Sequence, residues 1–161
     1  MPYFGVHESI AGGFHQAVSR AAANGFDTVQ IFSKNSNQWR GAPISDQAAD
    51  AFASALEQTG LISPLIHDSY LINLASPKSD LLERSIAAFA DELHRAERLG
   101  IASVVTHPGS YTTSSEQEGI ETSSGRSIRS WLLPPSRSWS FWRRPPVRGP
   151  TSAAGLSISP R

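Results

Sequence analysis

Apolar and polar positions in the first 120 residues switch repeatedly between a period of two and a period near 3.6. "PYFGVH" is a short β-rich run ending at His7. "GGFHQAVSRAAANG" follows, with Phe, Ala and Val at helical spacing and Asn24-Gly25 as its stop. "FDTVQIFS" predicts a second strand on Val29, Ile31 and Phe32. "SDQAADAFASALEQTG" predicts a second helix, capped by Ser45, striped by Ala49, Phe52, Ala55 and Leu56, and ended by Gly60. "ISPLIH" is the third strand. "SDLLERSIAAFADELHRAERLG" is a long third helix, with Ser79 as cap, Leu82, Ile86, Phe89 and Leu93 on one face, and Gly100 at its end. "ASVVTH" is the fourth strand. Strands alternating with amphipathic helices predict an α/β fold whose parallel sheet has right-handed crossovers.

The phase of the repeat places chemistry. His7, His67 and His107 fall at the C-terminal ends of three of these strands. In parallel α/β sheets and barrels, ligands sit at that end. One such histidine reads most simply as a satisfied, half-buried side chain, but three in register predict a shared rim site. His15 and His94 fall inside helices and are read as having no role. Neutral imidazole is a zinc ligand, and a catalytic zinc takes about three protein ligands plus an open position. Asp68 reads as a cap or turn residue. Pro108-Gly109-Ser110 reads as a loop in which Gly109 lets backbone approach closely. The residues alone reach a candidate metal site and stop there.

Charge divides the chain. Residues 1–120 carry 13 acids against 7 Lys and Arg, whereas residues 121–161 carry only Glu121 against 7 Arg. With no Cys, disulfides and cysteine metal sites are excluded. "MPYFGVHESIAGG" lacks the basic start and apolar run of a signal peptide, and no stretch is long enough to span a membrane. A cytoplasmic protein without membrane contact is expected.

The words "HESIAGG", "FSKNSNQWR", "HDSYLINLASP" and "THPGS" stand in order, each just after a predicted strand. Together they resemble the endonuclease IV family of abasic-site DNA repair enzymes, from residue 1 to about residue 120. The resemblance implies the first four βα units of a (β/α)8 TIM barrel. It also implies a cluster of three zinc ions at the rim. These activate a hydroxide that cuts double-stranded DNA 5′ to an abasic site. His67 and His107 match two ligands of one ion, which a glutamate from a fifth strand would share with a second ion. His7 is a further rim residue. Asn35, Gln38 and Trp39 match one DNA-handling loop. Tyr70 and Leu71 match a wedge that presses into the duplex. Asn37 departs from the family, where an inserted arginine often stands, and this puts the wedge contact there in doubt. Rim packing is the competing reading of Trp39 and Tyr70. The intact family fold is expected to be a monomer.

After "SSEQEGI" the family pattern stops. Of the 41 residues from 121 to 161, 26 are Ser, Arg, Pro or Trp, and Pro134-Pro135 and Pro145-Pro146 break regular structure. A tail so poor in buriable surface is expected to be irregular and disordered. A reading-frame slip near Ile120-Glu121 would account for it. Tryptophan has a single codon, and reading one base earlier lets residues 142–153 spell "LETTAGQGTNLG", which resembles the family's fifth-strand word. The bridging glutamate would then fall at Arg143. The gene's nucleotide sequence tests this.

Three functions follow as expectations. The first is the repair endonuclease, here truncated and inactive because the remaining ligands are missing. The second is a metal-dependent sugar isomerase or epimerase on a similar barrel. The third is a nucleic-acid-binding protein using the arginine-rich tail, which deletion of residues 121–161 would silence. A four-stranded sheet with two open edges is also expected to aggregate or lose specific packing.

Overall fold

A computed structural model describes residues 2–124. The tail from residue 125 onward lies outside the described residues, and so does the expectation of irregular structure there. The elements run β1 (Gly5–Glu8), α1 (Phe14–Ala23), β2 (Thr28–Phe32), α2 (Asp46–Thr59), β3 (Leu65–His67), α3 (Ser79–Arg98), β4 (Ser103–Val105) and α4 (Glu116–Ser124). All three strand pairings are parallel, in the order β1-β2-β3-β4. Sequential order is that of a barrel wall, in which every helix returns on the same side of the sheet.

Local chemistry explains most boundaries. Ser45 Oγ accepts a hydrogen bond from the Ala48 amide and starts α2, and Gly60 ends it at φ 72°, where a side chain would be strained. The expected cap of α3 is corrected. Ser79 is the first helical residue, and Lys78 occupies the cap position without a side-chain bond. Ser76 Oγ instead accepts from the Lys78 amide, one turn earlier. Helix α4 also runs through Glu121–Ser124, so helical structure crosses the boundary expected at residue 120. Thr122 Oγ1 donates to the Glu118 carbonyl within its last turns.

The core sits between the outer face of the sheet and the helices. Val29, Ile31 and Ile66 meet Ala17, Val18, Ala21 and Phe52 there. On β2 the alternation is clean: Val29 and Ile31 are buried, while Thr28, Gln30 and Phe32 on the other face are only partly covered. That inner face, which a closed barrel would fill, carries His7, Gln30 and Phe32. A second apolar cluster, Ile72, Leu74, Ile86 and Ala88, lies under the loop between β3 and α3 and holds it against α3. No helix among the described residues is long and apolar enough to cross a membrane.

Candidate metal rim and DNA-facing loops

Three histidines reach the same end of the sheet by different routes. His67 is the last residue of β3, His7 lies within β1, and His107 stands two residues beyond β4. The His67 ring centroid is 5.1 Å from that of His107 and 6.3 Å from that of His7. His67 is buried and its Nδ1 lies 2.9 Å from the Asp68 carbonyl oxygen. A carbonyl only accepts, so Nδ1 carries the proton and Nε2 keeps a free lone pair, the tautomer a metal needs. His7 is arranged the opposite way. Gln30 Nε2 donates to its Nδ1 at 2.8 Å, which leaves Nε2–H as a donor. Partial burial, then the neighbouring His67, disfavours protonation of His7.

Asp68 lies outside any turn. It is buried, its amide donates to the Val105 carbonyl at 3.0 Å, and its Oδ2 accepts from Thr106 Oγ1 at 2.5 Å. Burial pushes its carboxyl above the ordinary range, and the Thr106 bond works against that push. Asp68 thus ties β3 to β4 directly behind His67. The loop bearing His107 is clamped as well. Asn73 Oδ1 accepts from the Ser110 amide at 2.9 Å and Asn73 Nδ2 donates to the Ser110 carbonyl at 2.9 Å. Gly109, at φ 99°, lies so close that an added Cβ would stand 2.2 Å from Asn73 Oδ1.

The residues of the two loops expected to handle DNA divide. Asn35, Asn37 and Gln38 are exposed, and Asn35 Oδ1 accepts from the Asn37 amide at 2.9 Å. Tyr70 is 62% exposed, with its ring 5.6 Å from that of His67 and 5.3 Å from that of Phe32. Leu71 is half-buried. The loops are joined, because the Tyr70 amide and Ser69 Oγ both donate to the Ser36 carbonyl. Trp39 packs on the second apolar cluster under the Arg84 guanidinium, 4.6 Å above the ring. His94, on α3, is exposed and His15, on α1, is half-buried.

Sequence reasoning missed the polar network that anchors these loops. Lys34 and Glu92 are buried and paired at 2.6 Å, and Ser33 Oγ donates to Glu92 at 2.5 Å. Arg95 Nε donates to Ser33 Oγ at 2.8 Å, and Arg95 NH1 to the Ala42 carbonyl at 2.8 Å. The available signal was Ser85, Glu92 and Arg95 on the same face of α3 as its apolar residues.

Imidazole from His67 and His107 suits zinc, and the two rings are spaced to share an ion. Among the described residues, however, no group of three or more His, Cys, Asp or Glu is assembled to hold a metal. The donor set present fits part of a metal site.

Comparison with known proteins places this geometry. Residues 18–131 match the family described as xylose isomerase-like TIM barrel. A probable endonuclease 4 of Trichlorobacter lovleyi is 52% identical over 119 residues, which are 74% of this chain and 42% of that protein. Another, from Chloroflexus aurantiacus, is 49% identical over 120 residues. The chain thus spans about two-fifths of the length of these curated relatives. Among solved structures, endonuclease IV of Thermus thermophilus superposes with a TM-score of 0.70 at 36% identity, covering 83% of this chain and 48% of that one. D-psicose 3-epimerase of Clostridium cellulolyticum superposes with a TM-score of 0.57 at 20% identity, a likeness of fold alone. The chain therefore belongs to the xylose isomerase-like TIM barrel family and, within it, to the endonuclease IV family.

Proposed function

We propose that this chain carries the first half of a zinc-dependent endonuclease that cuts the DNA phosphodiester 5′ to an abasic site. The observation carrying this reading is the pair His67 and His107, 5.1 Å apart, with the free Nε2 of His67 fixed by the Asp68 carbonyl. These two would hold one ion of a trinuclear cluster. Bound zinc would supply an activated hydroxide and neutralise charge on the phosphate. His7, through Nε2–H, would donate to an oxygen at the same mouth. Tyr70 and Leu71 would press into the duplex, and Asn35 and Gln38 would contact it from the neighbouring loop. Trp39 would act beneath them as packing that fixes the loop.

No group of three or more metal-ligating side chains is assembled among the described residues, and on the frame-slip reading, in which the remaining ligands are lost, the 161-residue chain by itself is proposed to be inactive. Restoring the frame at Ile120 is expected to restore chelator-sensitive nicking of an abasic duplex, while the unrepaired chain shows none. Nicking by the unrepaired chain would refute the loss of activity. Turnover of ketose sugars but not abasic DNA by the repaired chain would refute the endonuclease reading in favour of the epimerase-like one, which the present likeness supports only at the level of fold. Monomeric behaviour is expected of the repaired barrel.

A further inference from the structure

Residues 1–120 carry 13 acids against 7 Lys and Arg, so a base without an acid is the exception there. Four of the seven are committed. Arg20 pairs with Glu8, Lys34 with Asp91 and Glu92, and Arg98 with Asp46, while Arg95 bonds Ser33 and the Ala42 carbonyl. Arg40, Lys78 and Arg84 have neither a carboxylate nor a side-chain hydrogen bond among the described residues, and residues 125–161 contain no Asp or Glu to supply one. Two of these three, Arg40 and Arg84, line one cavity of about 660 Å³ between the loop after β2 and α3, with Trp39, Gly41, Ala88 and Asp91.

The chemistry of this cavity suits an anion. Its one acid, Asp91, is neutralised by Lys34 at 2.9 Å. The Arg84 guanidinium stands 4.6 Å over the Trp39 ring, a contact that positions the charge while its N–H donors lack an acceptor. Trp39 is itself packed on the second apolar cluster, so the stack is held from below. The opposite wall is fixed as well. A Cβ added at Gly41 would stand 2.7 Å from Lys34 Cβ, so this backbone rests on the buried Lys34–Glu92 pair, and Arg95 holds the next carbonyl, that of Ala42. Groups fixed in advance lose little freedom when they bind.

We propose that the cavity takes a backbone phosphate of the DNA duplex, gripped between the guanidiniums of Arg40 and Arg84. This rests on the reading that the loop after β2, which carries Arg40 together with Asn35 and Gln38, meets DNA. The planar fork of a guanidinium matches two phosphate oxygens. Such a contact fixes the register of the duplex beside the rim and reads no base.

Binding of a labelled abasic duplex to the full 161-residue chain, measured over a series of salt concentrations, tests this. Arg40→Gln and Arg84→Gln should each flatten the slope of log Kobs against log salt by about one, and the double variant by about two. Lys78→Gln removes the third unpaired base, which lies outside the cavity, and should leave the slope unchanged. The 7 arginines of residues 121–161 are common to all these proteins and cancel in the comparison. If Arg84→Gln loosens Trp39, Arg40→Gln decides alone. Unchanged slopes in both arginine variants, while Tyr70→Ala weakens binding, overturn the phosphate site and leave the endonuclease reading standing. Unchanged binding in all three overturns both. An equal flattening by Lys78→Gln also overturns the site, because it marks a diffuse field of charge. Inorganic phosphate that shifts the Gly41 amide resonance at lower concentration than the duplex does would assign the cavity to a free anion and overturn the DNA contact.

Discussion

Asn73 holds Ser110 by both of its backbone groups, one amide oxygen accepting and one amide nitrogen donating, each at 2.9 Å. The same Oδ1 also accepts from the Ala75 amide at 3.1 Å, and the Asn73 amide donates to Ser85 Oγ at 3.0 Å. Asn73 therefore connects the loop after β3 to the loop that carries His107 through its side chain, and to α3 through its backbone amide. Asn73→Ala should release that loop, with amide exchange at Ser110 rising while the α1 and α2 amides stay protected. If the proposed function holds, the zinc affinity of the frame-restored chain should fall by roughly 10- to 100-fold, the range for groups that orient metal ligands. Asn73→Asp keeps the acceptor and should recover part of the loss. Unchanged zinc affinity in both variants would show that the clamp does not serve the rim.

Gly109 makes the same point from the other side. Its φ of 99° disfavours a side chain, and a Cβ would meet Asn73 Oδ1 at 2.2 Å. Gly109→Ala should displace the His107 loop and cost about 1–3 kcal/mol in local stability. Hydrogen exchange confined to residues 106–112 checks this. A global change in exchange would mean the loop is part of the main folding unit.

Glu92 is 1% exposed and neutralises Lys34 inside the fold. Glu92→Ala leaves that ammonium with only Asp91, at 2.9 Å on the more exposed side. The expected loss is about 3 kcal/mol, at the lower end of the range for breaking a buried pair, because Asp91 remains. Glu92→Gln keeps an acceptor for Ser33 and should cost less. Urea unfolding of the three proteins side by side measures both, and equal midpoints for all three would exclude a stabilising role for the network.

The repeating unit was legible in the sequence because its causes are local. Ser45, Gly60 and the stripe through Phe52 act within one helix, and the β2 alternation from Val29 to Phe32 acts within one strand. The start of α3 was misread because Ser79 has the right chemistry in the wrong place: Ser76 had already taken the Lys78 amide. Helix α4 was not foreseen: only one of its residues, Ile120, is large and apolar, so no stripe announces it, although helix runs to Ser124.

The rim shows where pattern stops and packing begins. Strand phase alone brings His7, His67 and His107 to one end of the sheet, since residues at strand ends must gather where parallel strands finish. Phase says nothing about which ring nitrogen is free. That depends on the Asp68 carbonyl beside His67 and on Gln30, 23 positions from His7, reaching across from β2. It likewise cannot pair Asn73 with Ser110, or Lys34 with Glu92, because hydrogen bonds between residues 37 and 58 positions apart exist only once the chain has closed those loops.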